Sequence, residues 1–272
     1  ELWFRVPEII EVRLDGEAQK GVYPKDVILE VLGRIRADGA VYKAIDFTGS
    51  YVEKLNVAGR MTICNMAVEM GAKTAYMQPN ADVLNYVDKR AVRPYEVQFT
   101  DPDFQYEESY VFDVSKIEPN LACPSSVENV HPLSEVVANG PIKLNQGYIG
   151  SCTGGRVEDI AIAAKILKGR HIPEYTRLIV VPASNEVMQE CMKAGYIQDL
   201  MNAGATITTP GCGACLGAHE GILAPGEVCI TSTNRNFPGR MGSTEALMYL
   251  ASPATVAASM VNGCITDPRD FL

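Results

Sequence analysis

The chain predicts an α/β protein with mostly parallel sheets. Short apolar runs of strand character alternate with runs of helical period along nearly the whole sequence, which is the pattern of parallel strands joined by crossover helices. Several strand-like runs end in loops bearing Cys, Asn or Arg, and ligands of such sheets gather beyond the carboxyl ends of the strands. A third observation concerns domain count. A length of 272 residues suggests about two domains. Residues 118–141 change character, carrying Pro119, Pro124, Pro132 and Pro141 with few periodic apolar positions. They read as an ordered linker that holds the domain boundary.

The elements follow in order. Residues 9–14 alternate as a strand, and Asp15-Gly16 marks a turn. Helical spacing begins at Pro24, where proline suits a first turn, and Gly39 ends the helix. Residues 41–47 form a strand. A helix runs from about Arg60 to Gly71, and Asn65 and Glu69, four apart on it, share a face. Residues 72–77 read as a strand, 80–89 as a helix and 106–114 as a strand. In the second half, 147–150 is a strand running into Ser-Cys-Thr-Gly-Gly, and 157–167 is a helix with Glu158 and Asp159 in its first turn. Residues 178–181 form a buried strand; Ser184 opens a helix that Gly195 ends; 197–203 is a short helix. Strands at 205–209 and 228–233 and a closing helix at 253–262 complete the chain. Cys152, Cys212 and Asn234 each follow a strand, so all three are expected on one carboxyl edge.

Bulk properties narrow the function classes. A net charge of −9 argues against nucleic acid as a partner, yet leaves room for a local basic pocket and an anionic substrate. No apolar run reaches the roughly eighteen residues of a membrane span, and the opening residues lack the features of a secretion signal. Eight cysteines without such a signal point to reduced thiols in the cytoplasm and a metal site rather than a disulfide framework.

The densest motif is Pro210-Gly-Cys-Gly-Ala-Cys-Leu-Gly217, a tight loop after a strand. Alone, Cys212 and Cys215 fit iron–sulfur or zinc ligation, a redox pair, or no special role. A zinc ribbon needs a second CxxC, which the sequence lacks. Gly213 and Gly217 suit a backbone wrapped closely around a cluster. Cys152 precedes a helix N-terminus, where amides and the dipole favour a thiolate; as a small buried residue it would need no role. Cys64, Cys123, Cys191, Cys229 and Cys264 read as core. Arg235 and Arg240 lie five apart on a loop, able either to aim guanidinium forks at carboxylates or to rest in solvent. Asn65 and Glu69 equally fit the polar stripe of a surface helix, and His219 either orients the CxxC loop or is structural.

Taken together, the motifs resemble the aconitase superfamily, most closely the large subunit of its isopropylmalate isomerase/homoaconitase branch. The resemblance runs through Val6-Pro-Glu8, Met61-Thr-Ile-Cys-Asn-Met-Ala-Val-Glu69, Glu118-Pro-Asn-Leu-Ala-Cys-Pro124, Gly150-Ser-Cys-Thr153, the CxxC loop, Thr233-Asn-Arg-Asn-Phe-Pro-Gly-Arg-Met-Gly-Ser243 and Ala251-Ser-Pro-Ala-Thr255. It implies two three-layer α/β/α domains, as in domains 2 and 3 of the aconitase fold, at 1–127 and 128–272. It also implies that Cys152, Cys212 and Cys215 ligate a [4Fe-4S] cluster with one iron left open. Asn65 and Asn234 then lie beside the cluster, Glu69 is an acid near the open iron and its water, and Arg235 and Arg240 hold substrate carboxylates. The implied reaction isomerises a hydroxy-polycarboxylic acid by dehydration and rehydration, the iron acting as Lewis acid. The first substrate implied is 3-isopropylmalate; homocitrate, dimethylmalate and citrate are alternatives. The implied partner is a small subunit carrying a swivelling domain.

Two departures stand out. Gly154 occupies a position where many relatives carry Asn, so a polar contact near the cluster is expected to be lost. The relatives' first domain, with a Gly-Ala-Asp-Ser-His-Thr motif that supplies the acid, has no counterpart here, and neither does the serine base of the swivelling domain. The chain is therefore expected to be a truncated form, inactive alone. Readings of another class are a non-catalytic zinc or redox protein and an RNA-binding relative; the acidic balance disfavours the latter.

Overall fold

The structure, a computed structural model, describes residues 3–272. It is built on two sheets. The first contains β1 (Ile9–Asp15), β2 (Ala44–Thr48), β3 (Thr74–Tyr76) and β4 (Ser109–Asp113), all parallel, in the order β3-β2-β1-β4. The second contains β5 (Asn120–Ala122), β6 (Val130–Pro132), β7 (Gln146–Gly150), β8 (Arg177–Val181), β9 (Thr206–Ile207), β10 (Val228–Thr231) and β11 (Leu247–Leu250), in the order β6-β5-β11-β10-β7-β8-β9. Its last five strands run parallel, and only β5 runs against the rest, pairing antiparallel with β11 and β6. The mostly parallel α/β architecture is the one the alternating runs predict.

Local physics explains the elements. Ile10, Val12 and Leu14 are fully buried while the residues between them are not, the period-2 pattern of a strand with one packed face. In β7 every residue is buried, and in β8 every residue from Leu178 to Val181, as a sheet covered on both faces requires. The helices Val157–Leu167 and Pro253–Asn262 span the residues that their periodicity marks. Gly71, in the left-handed region, closes the turn after Val57–Met66.

The expected linker is folded. Residues 118–141 supply β5, β6 and the helix Leu133–Ala138, and β5 pairs antiparallel with both β11 and β6. Asn120, Leu121 and Ala122 are all buried, but three residues carry no readable period. Pro132 is tolerated because it ends an edge strand.

One helix joins the two halves. Pro24–Ile35 packs Val27, Ile28, Leu29, Val31 and Leu32 into the core beside the first sheet. Its Asp26, fully buried, accepts hydrogen bonds from the Tyr23 N–H at 2.8 Å and the Asn120 N–H at 3.1 Å. It thus caps its own helix and satisfies the first residue of β5 in the other sheet. Burial pushes its carboxyl up to about 7. A folded-state pKa above the unfolded value means a contribution that is full below about pH 4 and declines as pH rises through 7. Asp26→Ala leaves two N–H groups without their acceptor and is expected to cost about 1–3 kcal/mol. Urea titrations should show the larger penalty at pH 5 and the smaller at pH 8; a pH-independent difference would contradict this account.

Candidate active site

The carboxyl edge of the second sheet positions the cysteines. After β7 the chain turns through Ser151, which has φ +67°, into the short helical turn Ser151–Gly154 that carries Cys152. Gly154 and Gly155 allow this turn to lie against its neighbours. A Cβ on Gly155 would meet the Val181 carbonyl at 2.6 Å, and one on Gly154 would collide with the Ser232 side chain. Ser232 Oγ donates to the Gly154 carbonyl at 3.1 Å and accepts from the Gly150 N–H at 3.0 Å. The side chain of Ser232, on the segment after β10, fills the space beside Gly154.

The CxxC loop follows β9. Cys215 N–H donates to the Cys212 carbonyl at 3.2 Å, and left-handed glycines at 213 and 217 let the loop curl. Tyr148, buried in β7, donates its hydroxyl to the same carbonyl at 2.9 Å, so one strand holds both cysteine loops. Cys152 and Cys212 are exposed and Cys215 is buried. The Cys212 thiol is raised by burial first, then by Cys215 and Cys152, and lowered by Arg240; these groups are neighbours. Among the described residues no three His, Cys, Asp or Glu side chains converge on one metal-ion position.

The first sheet supplies the opposing side. Asn65, near the end of Val57–Met66, donates from Nδ2 to Cys152 Sγ at 3.2 Å and to Thr153 Oγ1 at 2.7 Å. Glu69 lies in the 3-10 turn Ala67–Met70 that follows. Arg235 Nε donates to both of its oxygens, at 2.8 and 3.0 Å. The Glu69 side chain is 9% exposed against 37% for Arg235. Burial raises the Glu69 carboxyl; Arg235, Lys25 and Arg240 oppose the rise. Arg240 makes no ion pair among the described residues, its Nε is buried without a partner, and its guanidinium carbon lies 5.7 Å from the Phe237 ring centre.

Unpartnered polar atoms collect here. Seven buried side-chain atoms among the described residues lack a hydrogen-bond partner, and those of Ser151, Arg156, Asn234, Asn236 and Arg240 belong to the segments after β7 and β10. Buried polar atoms are normally satisfied, so this clustering marks a place built for something further. Asn234 Oδ1 is one of the five; turning the amide would offer its NH2 instead.

Sequence reasoning brought Cys152, Cys212, Cys215, Asn65, Glu69, Asn234, Arg235 and Arg240 forward; hydrogen bonds join Asn65 to Cys152 and Arg235 to Glu69 across the two sheets, while Asn234 Oδ1 and Arg240 Nε are buried without a partner. It missed Lys25, Tyr148 and Ser232. Lys25 is buried with its ammonium on the Thr233 carbonyl at 2.6 Å, but in sequence it is an ordinary charged residue in a helical first turn. His131 bonds Asn129, and His219 contacts its neighbour Glu220.

The chain is thus a mostly parallel α/β protein with Cys152 and Cys212 exposed and Arg240 without an ion pair among the described residues. The aconitase (aconitate hydratase) family model matches residues 1–263, and the chain belongs to the aconitase family. It is 51% identical, over its whole length, to 3-isopropylmalate dehydratase large subunit 1 of Methanopyrus kandleri, covering 64% of that protein. It is 49% identical over 98% of its length to the probable methanogen homoaconitase large subunit of Methanothermobacter thermautotrophicus, covering 62% of it. It is 46% identical over 99% of its length to the 3-isopropylmalate dehydratase large subunit of a Hydrogenobaculum species, covering 63%. The chain thus spans less than two thirds of these relatives.

Two outcomes test the geometry. Arg235→Met removes the cation that holds Glu69 down, so the Glu69 carboxyl should titrate at higher pH in carbon-detected NMR; an unmoved midpoint would break the pairing. Gly154→Ala should cost about 1–3 kcal/mol by overpacking, and Ser232→Gly in the same chain should recover part of it.

Proposed function

We propose that this chain is the cluster-binding part of the large subunit of a hydro-lyase that isomerises a hydroxy-polycarboxylic acid, with 3-isopropylmalate the first substrate to test. The observation that carries the reading is the Asn65 amide donating to Cys152 Sγ at 3.2 Å, with Cys152 in the segment after β7 and Cys212 and Cys215 in the loop after β9, on the same carboxyl edge of one sheet. Cys152, Cys212 and Cys215 would hold a [4Fe-4S] cluster. When bound, that cluster supplies a Lewis acid for a hydroxyl and a carboxylate. Homocitrate, dimethylmalate and citrate belong to the same class, and relatives with isopropylmalate and homoaconitase names match at nearly equal identity.

The chain's own residues then have distinct tasks. Asn65 steadies the Cys152 sulfur, and Asn234 presents its amide on the same side. Glu69, nearly buried, is suited to hold or pass a proton at its carboxylate oxygens, while Arg235 keeps it in place. Arg240, which makes no ion pair among the described residues and whose Nε lacks a partner, offers a fork for a substrate carboxylate. The reading extends to a small-subunit partner with a swivelling domain and to a cytoplasmic setting. It divides the chain into two domains at 1–127 and 128–272, with β5 crossing to pair in the second sheet. A zinc or redox protein is the reading of another class, and the iron and absorption measurements below distinguish it.

The test is anaerobic reconstitution with iron and sulfide. Wild type should gain broad thiolate-to-iron absorption and about four irons per chain. Cys152→Ser, Cys212→Ser and Cys215→Ser should each lose them and Cys191→Ser should keep them; equal iron in all four removes the ligand assignment. Assays with isopropylmalate, homocitrate and citrate, using a full-length large subunit that contains this sequence together with its small subunit, then rank the substrates. In that assay Arg240→Lys should weaken transition-state binding by about 1.5–3 kcal/mol, since ammonium lacks the bidentate fork.

A further inference from the structure

The surroundings of Lys25 do not balance its charge. It is 2% exposed and sits in the first turn of the helix Pro24–Ile35, the end at which the helix dipole opposes a cation. Its ammonium donates to the Thr233 carbonyl at 2.6 Å and lies 3.4 Å from Met66 Sδ. Among the described residues no carboxylate forms an ion pair with it. A buried ion without a counter-ion costs several kcal/mol even after relaxation, so buried charges are normally paired.

The anions that feel Lys25 are Glu69 and Cys215, followed by Asp159 and Asp26; burial nonetheless pushes the ammonium down to about 8. Glu69 already has Arg235. Thr233, which Lys25 grips, immediately precedes Asn234 and Arg235. The ammonium therefore lies beneath the loop that faces the cysteines.

We propose that Lys25 is a positioning residue whose counter-charge is the anion bound at this site, the thiolate-ligated cluster with a substrate carboxylate. The inference rests on the functional reading above. Lys25 fixes the Thr233 carbonyl, hence the Asn234–Arg235 segment, and its charge is compensated only when the site is filled. Three thiolates and an arriving carboxylate make that assembly a source of negative charge.

Lys25→Met tests this, because methionine keeps an unbranched chain and removes the charge. In the cluster-free protein the exchange removes an uncompensated cation, so the melting temperature should hold or rise despite the lost bond to Thr233. After reconstitution the same exchange removes an attraction. The rise in melting temperature on loading should be smaller than in wild type, and the cluster's midpoint potential should shift to more negative values, since an added electron no longer meets the ammonium. A merely structural lysine predicts something else: the same fall in melting temperature with and without cluster, and an unmoved potential. That result, or a Lys25→Met chain that cannot fold without cluster, overturns the proposal. Wild type that takes up no cluster overturns the functional reading as well, whereas loaded wild type with unmoved Lys25→Met values overturns this inference alone.

Discussion

The contact on which the rest depends is the seam between the start of helix Pro24–Ile35 and the second sheet. Two consecutive residues make it: Asp26 accepts from the first residue of β5, and Lys25 donates to the carbonyl of Thr233. Asn65 and Glu69 come from the half of the chain that holds this helix, and Cys152 and Arg235 from the other half. Their contacts, 3.2 Å from amide to sulfur and 2.8 Å from guanidinium to carboxylate, require the halves to be fixed to within a fraction of an ångström. Hydrogen bonds to fully buried partners do that, because a small slip leaves a polar group with neither protein nor water.

Within the second sheet, close backbone approach plays the matching part. Gly150, Gly154 and Gly155 bring the turn after β7 against β8 and the loop after β10, while Tyr148 ties the CxxC loop to β7 from beneath. The cost of this arrangement is visible where it is expected at a functional site. Ser151 adopts a positive φ, and polar atoms on the segments around the cysteines lack partners. Five of the seven unpartnered buried atoms among the described residues lie on the segments after β7 and β10, and the other two are on Asp46 and Asn120.

What could be read from sequence follows from how local each signal is. The helices at 157–167 and 253–262 were legible because their periods and first-turn residues are contained in the segments themselves. The three-residue strands β5 and β6 were not. β5 and β6 owe their identity to pairing with each other and with β11, and β11 itself escaped notice. The site divides in the same way. Cys212 and Cys215 announce themselves by spacing, and Asn65 and Glu69 through the motif that contains them. Lys25 does not, since its burial is imposed by a loop some two hundred residues away in sequence. The expectation that Asn65 and Glu69 act from one helical face also needed the structure. They lie on an α-helical turn and the 3-10 turn after it, and reach different partners.

The two arginines of the loop, alike in sequence, are unlike in the fold. Arg235 is engaged by Glu69; Arg240 has no internal ion pair. On the proposed reading a substrate carboxylate meets no competitor at Arg240 and meets Glu69 at Arg235. A carboxylate that draws Arg235 away also removes the strongest attraction holding the Glu69 proton affinity down, so Glu69 becomes a better proton acceptor as the ligand settles. Lys25, the next cation that Glu69 feels, limits that rise, because it remains on the Thr233 carbonyl and cannot follow the ligand. On that reading ligand arrival would be coupled to proton affinity at Glu69 through Arg235, which the ligand shares, and Lys25, which stays in place.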